Sequence, residues 1–272
     1  MTPLTSTPEP TPCIGVFDSG VGGLSVLPAI RRALPSVPLR YVADSAFAPY
    51  GERPDAEILD RCQRIVAHLR ARGARVIVVA CNTATAVAID ALRRTHADLG
   101  FVGIEPGVRP ALALSRRRRI AAMATEATLR STRFRALLAR ETGDAWVHLQ
   151  PCPGLAAAIE RCAHDDPELL AVAERHARGV RDADVDAVAL GCTHYPFVRD
   201  TIERVLGDGV AIVDTADVVA AQTARLWSDR RAWHAHDAAC ALETTGDATA
   251  LTAFVARWPS IGPTLQSAAI SL

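Results

Sequence analysis

Two cysteines follow matching stretches of sequence and could do acid–base chemistry on carbon. Cys81 follows the apolar residues 76–80. Cys192 follows the apolar residues 187–191 in the same way. Two thiols that face each other across one substrate suit the inversion of a stereocentre, because one removes a proton and the other returns one to the opposite face. A single such cysteine is more often an inert, buried small hydrophobe, but the matched pair favours two bases in one site.

The sequence around each cysteine predicts where its thiol lies. Each apolar run has the length of a buried parallel strand. Asn82, Thr83 and Thr193 are good N-cap residues for a helix that follows the strand. Each cysteine should therefore lie at the carboxyl end of a strand, which is the edge where open α/β sheets bind ligands. A helix N-terminus beside a thiol also stabilises the thiolate.

The spacing of candidate residues indicates two similar halves. Cys81 lies 63 residues after Asp18, and Cys192 lies 64 residues after the hydroxyl-rich segment at Thr128. We therefore expect an α/β fold of two similar domains with mostly parallel sheets and the active site in the cleft between them. The expected parts are a disordered tail over residues 1–12, a first domain over 13–104 plus 216–272, and a second domain over 105–215.

A glycine-rich turn and a proline-rich loop are further candidates for ligand binding. A strand over residues 13–17 runs into the turn 18–23, which places Asp18 at the cleft. Backbone N–H groups of such a turn can hold an anion, although a tight turn without a ligand is an equal alternative. A helix is expected over residues 24–34. In the loop 44–54, Tyr50 and Gly51 could present a hydroxyl and an N–H to a ligand, or Tyr50 could be structural.

Composition excludes several classes of function. The formal net charge is zero and no apolar run reaches the length of a membrane span, so neither nucleic acid nor membrane is an expected partner. Seven scattered cysteines indicate reduced thiols in a cytoplasm, and the N-terminus lacks the pattern of a secretory signal. All 30 basic residues are arginine. Without a lysine the chain cannot hold pyridoxal phosphate as a Schiff base, so carbon-acid chemistry needs direct proton transfer or a metal.

Five segments together resemble the glutamate racemases of the cofactor-independent Asp/Glu racemase superfamily. They occur in the order of that family and cover nearly the whole chain after the tail. The segments are Phe17-Asp18-Ser19-Gly20-Val21-Gly22-Gly23-Leu24, Pro49-Tyr50-Gly51, Cys81-Asn82-Thr83-Ala84, Gly191-Cys192-Thr193-His194-Tyr195-Pro196 and Thr244-Thr245-Gly246-Asp247. The chain departs from the pattern at Ala127-Thr128, where many members have Gly-Thr.

The resemblance implies interconversion of L- and D-glutamate without a cofactor or metal, which supplies D-glutamate for peptidoglycan, by a cytoplasmic enzyme that forms a homodimer. It implies that Cys81 and Cys192 are the two bases. It places Asp18 near the first thiol, and Glu160 and His194 near the second. The residues that match substrate-binding positions are Asp18, Ser19, Tyr50, Gly51, Asn82, Thr83, Thr128, Thr193 and His194.

Three other functions compete with this interpretation. The first is a racemase for another amino acid such as aspartate, since the motifs define the reaction better than the side chain of the substrate. The second is a metal hydrolase that uses Cys81, Cys192 and His194 as ligands, although the paired cysteines of a familiar zinc site are missing. The third is a non-catalytic binding or regulatory paralogue, such as an inhibitor of DNA gyrase, which would be expected to have lost a thiol or the glycine-rich turn.

Overall fold

The computed structural model describes residues 10–228, 239–258, 261 and 267–272. Most of the predicted disordered tail, residues 1–9, lies outside the described residues. The strands are β1 (Cys13–Asp18), β2 (Leu39–Ala43), β3 (Ala74–Val79), β4 (Gly100–Gly103), β5 (Arg119–Ala124), β6 (Trp146–Pro151), β7 (Ala187–Leu190), β8 (Ala211–Val213), β9 (Cys240–Thr244) and β10 (Ser267–Ala269). The helices are α1 (Leu27–Ala33), α2 (Asp55–Ala71), α3 (Asn82–Thr95), α4 (Val108–Leu114), α5 (Glu126–Arg130), α6 (Thr132–Glu141), α7 (Leu155–Arg161), α8 (Pro167–Asp182), α9 (Arg199–Leu206), α10 (Ala216–Ser228) and α11 (Ala248–Arg257).

The strands form two sheets that share the topology of four strands. The first sheet has the order β10-β9-β2-β1-β3-β4, and the second has the order β6-β5-β7-β8. The order β2-β1-β3-β4 is therefore repeated as β6-β5-β7-β8, and the strand pairings among the described residues are parallel. The predicted fold of two similar α/β domains is confirmed.

The central strands are apolar because helices cover both of their faces. Ile14 and Val16 of β1 belong to one buried cluster, and Cys13 and Phe17 belong to the cluster on the opposite face. The first of these clusters continues into the second domain, where it includes Val188 of β7. The two domains therefore share apolar packing on one side of the molecule.

Two predicted helices begin later than the sequence indicated. The chain forms a 3₁₀ turn at Gly22–Val26 before α1, and another at Tyr195–Val198 before α9. Pro28 and Pro196 lie at the starts of α1 and of the second turn, where a missing N–H breaks no helical bond. The glycine-rich turn and the residues after Cys192 consequently lead into 3₁₀ turns rather than directly into helices.

The carboxyl-terminal part adds strands that the sequence analysis did not predict. β9 pairs with β2, and β10 pairs with β9, so both extend the first sheet. On this ground we propose the domain boundaries expected from the sequence, with residues 216–272 joined to 13–104. No helix among the described residues is long and apolar enough to cross a bilayer.

Candidate active site

The two cysteines line one cavity at the carboxyl ends of both sheets. Cys81 is the second residue after β3, and Cys192 is the second residue after β7. The cavity has a volume of about 230 Å³. The residues expected at the site all line it: Asp18, Ser19, Tyr50, Gly51, Cys81, Asn82, Thr83, Thr128, Glu160, Cys192, Thr193 and His194.

The first thiol is itself the N-cap of the helix that follows it. Cys81 Sγ accepts a hydrogen bond from the backbone N–H of Ala84 at 3.4 Å. The expectation that Asn82 or Thr83 caps this helix is therefore wrong, because both are already inside α3. The Ala84 N–H favours a thiolate, but burial and the charge of Asp18 outweigh it and raise the pKa of Cys81 well above its ordinary value.

A chain of hydrogen bonds leads from the first thiol to a buried carboxylate. Cys81 Sγ donates to Ser19 Oγ at 3.8 Å, and Ser19 Oγ donates to Asp18 Oδ1 at 2.9 Å. Thr193 Oγ1 donates to the other oxygen, Asp18 Oδ2, at 2.9 Å. Asp18 is fully buried. Burial raises its pKa above the ordinary value, although the charge of His194 and the two hydroxyl donors oppose that rise.

The second thiol begins a different chain, which passes through an imidazole. Cys192 Sγ lies 3.6 Å from His194 Nδ1, and His194 Nε2 lies 2.7 Å from Glu160 Oε1. Burial by itself would lower the pKa of His194, but the hydrogen bonds to Cys192 and Glu160 hold it well above its ordinary value. The same contact with His194 overcomes burial at Glu160 and lowers the pKa of that carboxyl. Both groups are therefore charged at neutral pH.

The glycine-rich turn holds an anion that belongs to the protein itself. The backbone N–H of Val21 donates to Glu160 Oε1 at 3.2 Å. The sequence left open whether the N–H groups of this turn have an anionic partner. The structure gives Val21 N–H the carboxylate of Glu160, which comes from the second domain.

The hydroxyls of Thr193 and Tyr50 both have partners within the protein. Thr193 does not cap a helix, since its hydroxyl bonds to Asp18 and the following 3₁₀ turn has no side-chain cap. The hydroxyl of Tyr50, for which the sequence allowed either a ligand or a structural partner, donates to Asp44 Oδ2 at 2.6 Å. Asp44 in turn accepts two bonds from Arg61, at 2.8 and 3.0 Å. Tyr50 is thus a buried part of the cavity wall, fixed by an ion pair beneath it.

Hydroxyl groups from both domains meet at another wall of the cavity. Thr83 Oγ1 lies 3.3 Å from Thr125 Oγ1 and 3.4 Å from Thr128 Oγ1. Nearby, Asn82 Oδ1 is buried and has no hydrogen-bond partner among the described residues. These groups can bind the polar ends of a small ligand.

Thr125 and Ser45 also line the cavity, although neither was among the site residues expected from the sequence. A signal for Thr125 was present, because it directly follows β5 as Ser19 directly follows β1. A comparison of the first residue after each strand identifies Thr125 as the counterpart of Ser19, whereas a comparison of distances to the cysteines does not.

The expected ligands of a metal hydrolase do not converge. Among the described residues, ligand atoms close enough to share one ion occur at Cys162, Asp166 and Glu168. Those three residues do not line the cavity. Cys81, Cys192 and His194 form no such group.

Comparisons with known proteins agree with the fold. A sequence profile described as Asp/Glu/Hydantoin racemase matches residues 14–223. A glutamate racemase of Pseudomonas aeruginosa strain UCBPP-PA14 is 46% identical over 80% of this chain and 82% of its own. One from Ralstonia pickettii strain 12J is 42% identical over 93% and 90%. The crystal structure of Escherichia coli glutamate racemase with L-glutamate and the activator UDP-MurNAc-ala has a TM-score of 0.83 at 30% identity, over 96% of this chain and 98% of that one.

The chain belongs to the Asp/Glu/hydantoin racemase family. The resemblance to glutamate racemases found in the sequence is confirmed by these relatives. The chain is accordingly an enzyme of the isomerase class.

Proposed function

We propose that the protein interconverts L- and D-glutamate without a cofactor, with Cys81 and Cys192 as the two bases, and supplies D-glutamate for peptidoglycan. One observation supports this proposal above all others. Two thiols from equivalent positions of the two domains line one small cavity. Each thiol also begins a chain of hydrogen bonds that ends at a carboxylate, so a proton can leave or reach it.

The polar groups of the cavity suit a small zwitterion. The unpartnered Asn82 Oδ1 is an acceptor for the substrate ammonium group. The hydroxyls of Thr83, Thr125 and Thr128 are donors for a carboxylate. The choice of glutamate rests on the relatives, which are named glutamate racemases, and on the E. coli structure that contains L-glutamate.

The two thiols have different roles in the first half of the proposed reaction. We assign the role of base to Cys192, because its Sγ lies 3.6 Å from His194 Nδ1 and His194 Nε2 lies 2.7 Å from Glu160 Oε1. Cys81 has a raised pKa and donates its hydrogen to Ser19, so it is a neutral thiol. Cys192 then takes the α-proton from one face of the substrate, and Cys81 gives its proton to the other face.

The reverse reaction needs the opposite assignment of protons. After one turnover Cys81 is a thiolate and Cys192 is a thiol. To restore the starting state, Ser19 can pass its hydroxyl proton to Cys81 while it takes one from Asp18 in its protonated form. His194 Nδ1 can accept the proton of Cys192 while His194 Nε2 gives its own proton to Glu160. The negative charge that develops on the substrate between the two transfers needs fixed donors and a site from which water is excluded. We expect the domains to close during turnover for this reason.

The direct test follows the α-proton and the optical activity together. The metal-stripped protein, without pyridoxal phosphate, is incubated with L-glutamate in D₂O. The α-proton signal is followed by NMR, and the optical activity of the glutamate is followed by circular dichroism. Loss of both signals is expected. Glutamate that binds without losing either signal would contradict the proposal.

Aspartate is the alternative substrate, because the family description names both amino acids. We expect glutamate to exchange its α-proton faster than aspartate when both are present in the same D₂O sample. If only aspartate exchanges its α-proton, the type of reaction is as proposed, but the substrate is aspartate and not glutamate.

The cellular setting is also part of the proposal. From the resemblance and the seven cysteines, which are all unpaired in the structure, we place the protein in the cytoplasm. We propose a homodimer from the resemblance, and sedimentation analysis across a range of protein concentrations tests it. A monomer at every concentration would contradict the proposed dimer, but it would not contradict the proposed reaction.

A further inference from the structure

The turn Gly20-Val21-Gly22 of the first domain touches both members of the acid–base pair of the second domain. Glu160 Oε1 accepts the Val21 N–H at 3.2 Å and is 2.7 Å from His194 Nε2. One carboxylate oxygen is therefore shared between the backbone of one domain and the imidazole of the other.

The turn has no room for a side chain at either glycine. A Cβ atom added to Gly20 would lie 1.9 Å from Glu160 Oε1. A Cβ atom added to Gly22 would lie 2.2 Å from His194 Nδ1. Both distances are far below van der Waals contact, so either side chain would push the pair away from the turn.

The turn is itself fixed from below. Tyr41 of β2 is fully buried, and its hydroxyl donates to the carbonyl oxygen of Gly20 at 2.6 Å. A buried hydrogen bond of this length fixes the backbone, so the turn cannot yield easily to a displaced Glu160.

We propose that the Gly20–Gly22 turn is a positioning element that seats Glu160 and His194 against Cys192, and that this proton chain is complete only when the two domains are closed. The inference rests on the proposed function, because it concerns the chain that serves the second thiol. Val21 N–H and the bare Cα atoms of the two glycines act through Glu160 and His194, without contact to the reacting carbon.

The charges around His194 determine what displacement would do. It faces Glu160 from α7 and Cys192 from its own segment, and the charge of Asp18 of β1 also acts on it. If Glu160 moves away, the imidazolium loses its nearest fixed anion and releases its proton at lower pH. The high-pH limb of activity should then move to lower pH.

The first test compares two glycine substitutions in the same domain. Gly20→Ala is expected to lower kcat by about 10²-fold, with a smaller change in KM, and to move the high-pH limb downward. Gly100→Ala is the matched control, because its nearest contact would be an ordinary 3.4 Å from Val76. Thermal unfolding of both variants checks the fold. A folded Gly20→Ala protein with the wild-type kcat and pH profile would overturn the inference.

A second variant separates positioning from general damage to the turn. Glu160→Asp shortens the side chain that the new methyl group would strike. Gly20→Ala should therefore reduce kcat much less in the Glu160→Asp background than in the wild-type protein. Equal fold reductions in both backgrounds would mean that the turn acts independently of Glu160, which contradicts the inference.

Two further measurements, one on wild-type protein and one on Gly20→Ala, do not depend on turnover. Hydrogen exchange at the peptide that contains Val21 should slow when glutamate is added, since closure protects the Val21 N–H. NMR titration of His194, assigned with His194→Asn, should move to lower pH in Gly20→Ala. Unchanged exchange together with an unchanged titration would overturn the inference. A wild-type protein without racemase activity would instead overturn the proposed function. The hydrogen-exchange and titration measurements would still test whether the turn positions Glu160 and His194.

Discussion

Thr193 donates a hydrogen bond of 2.9 Å to Asp18 and so joins the residue beside the second thiol to the carboxylate beside the first. The contact has a counterpart, because Val21 beside the first carboxylate donates to Glu160 beside the second thiol. Each carboxylate is thus held by a donor from the opposite domain. The two proton chains therefore both depend on contacts between the two domains, although one passes through a hydroxyl and the other through an imidazole.

Replacement of Asp18 should make the first thiol more acidic. The charge of Asp18 is, after burial, the main cause that raises the pKa of Cys81. In Asp18→Asn the alkylation of Cys81 by iodoacetamide should therefore begin at lower pH, and racemisation should fall by about 10²-fold. Mass spectrometry of the peptide that contains Cys81 gives the alkylation profile. Ser19→Ala keeps the charge and serves as the control, so a downward shift of the same size there would contradict this explanation.

Replacement of Glu160 should destabilise the protein most in a defined range of pH. The folded pKa of Glu160 is below 4.5, so its contribution is present above that pH and is lost as pH falls through the folded value. The folded pKa of His194 is above 6.5, so its contribution is present below that pH and is lost as pH rises through the folded value. Both contributions are complete between about pH 4.5 and pH 6.5.

In that range Glu160→Gln should lower the free energy of unfolding by about 1.5 to 3 kcal/mol. The difference from wild type should shrink at more acidic and more alkaline pH. Urea unfolding at several pH values measures it. A difference that grows steadily from acidic to alkaline pH would be incompatible with a Glu160–His194 ion pair.

The ion pair below Tyr50 should matter for both stability and substrate binding. The Arg61 side chain is almost fully buried, and it holds Asp44, which accepts the Tyr50 hydroxyl. Arg61→Met leaves that carboxylate unpaired and should destabilise the protein by about 3 to 5 kcal/mol. KM should rise, since Tyr50 lines the cavity.

Arg64→Met is the control for this prediction, because Arg64 lies on the same helix and its pair with Asp60 is exposed. Its effect should stay below about 1 kcal/mol. Chemical unfolding and substrate saturation curves provide the two comparisons. Similar losses in both variants would show that the buried pair has no special role.

The elements that carry the thiols could be predicted because their signals are local. The apolar runs before Cys81 and Cys192 have the length and composition of buried parallel strands, and β3 and β7 occupy those runs. The two strands β9 and β10 are short and pair only with distant segments, so their formation depends on contacts that local sequence does not reveal.

The partners of the polar side chains were less predictable. Asn82 and Thr83 have the chemistry of N-caps, but Cys81 takes that position because the chain leaves β3 in an extended conformation up to the cysteine. Thr193 bonds to Asp18, which lies 175 positions earlier in the sequence. Such a contact follows from how the two domains pack together, and capping preferences contain no information about it.

Deuterium incorporation by two single-cysteine variants tests the central claim of two face-specific bases most directly. Cys81→Ser and Cys192→Ser are incubated separately with L- and D-glutamate in D₂O, and α-deuteration of each enantiomer is followed by NMR. Racemisation should fall by at least about 10²-fold in both variants. Residual exchange should favour one enantiomer in Cys81→Ser and the other enantiomer in Cys192→Ser. Equal exchange from both enantiomers in each variant would contradict the assignment of one thiol to each face.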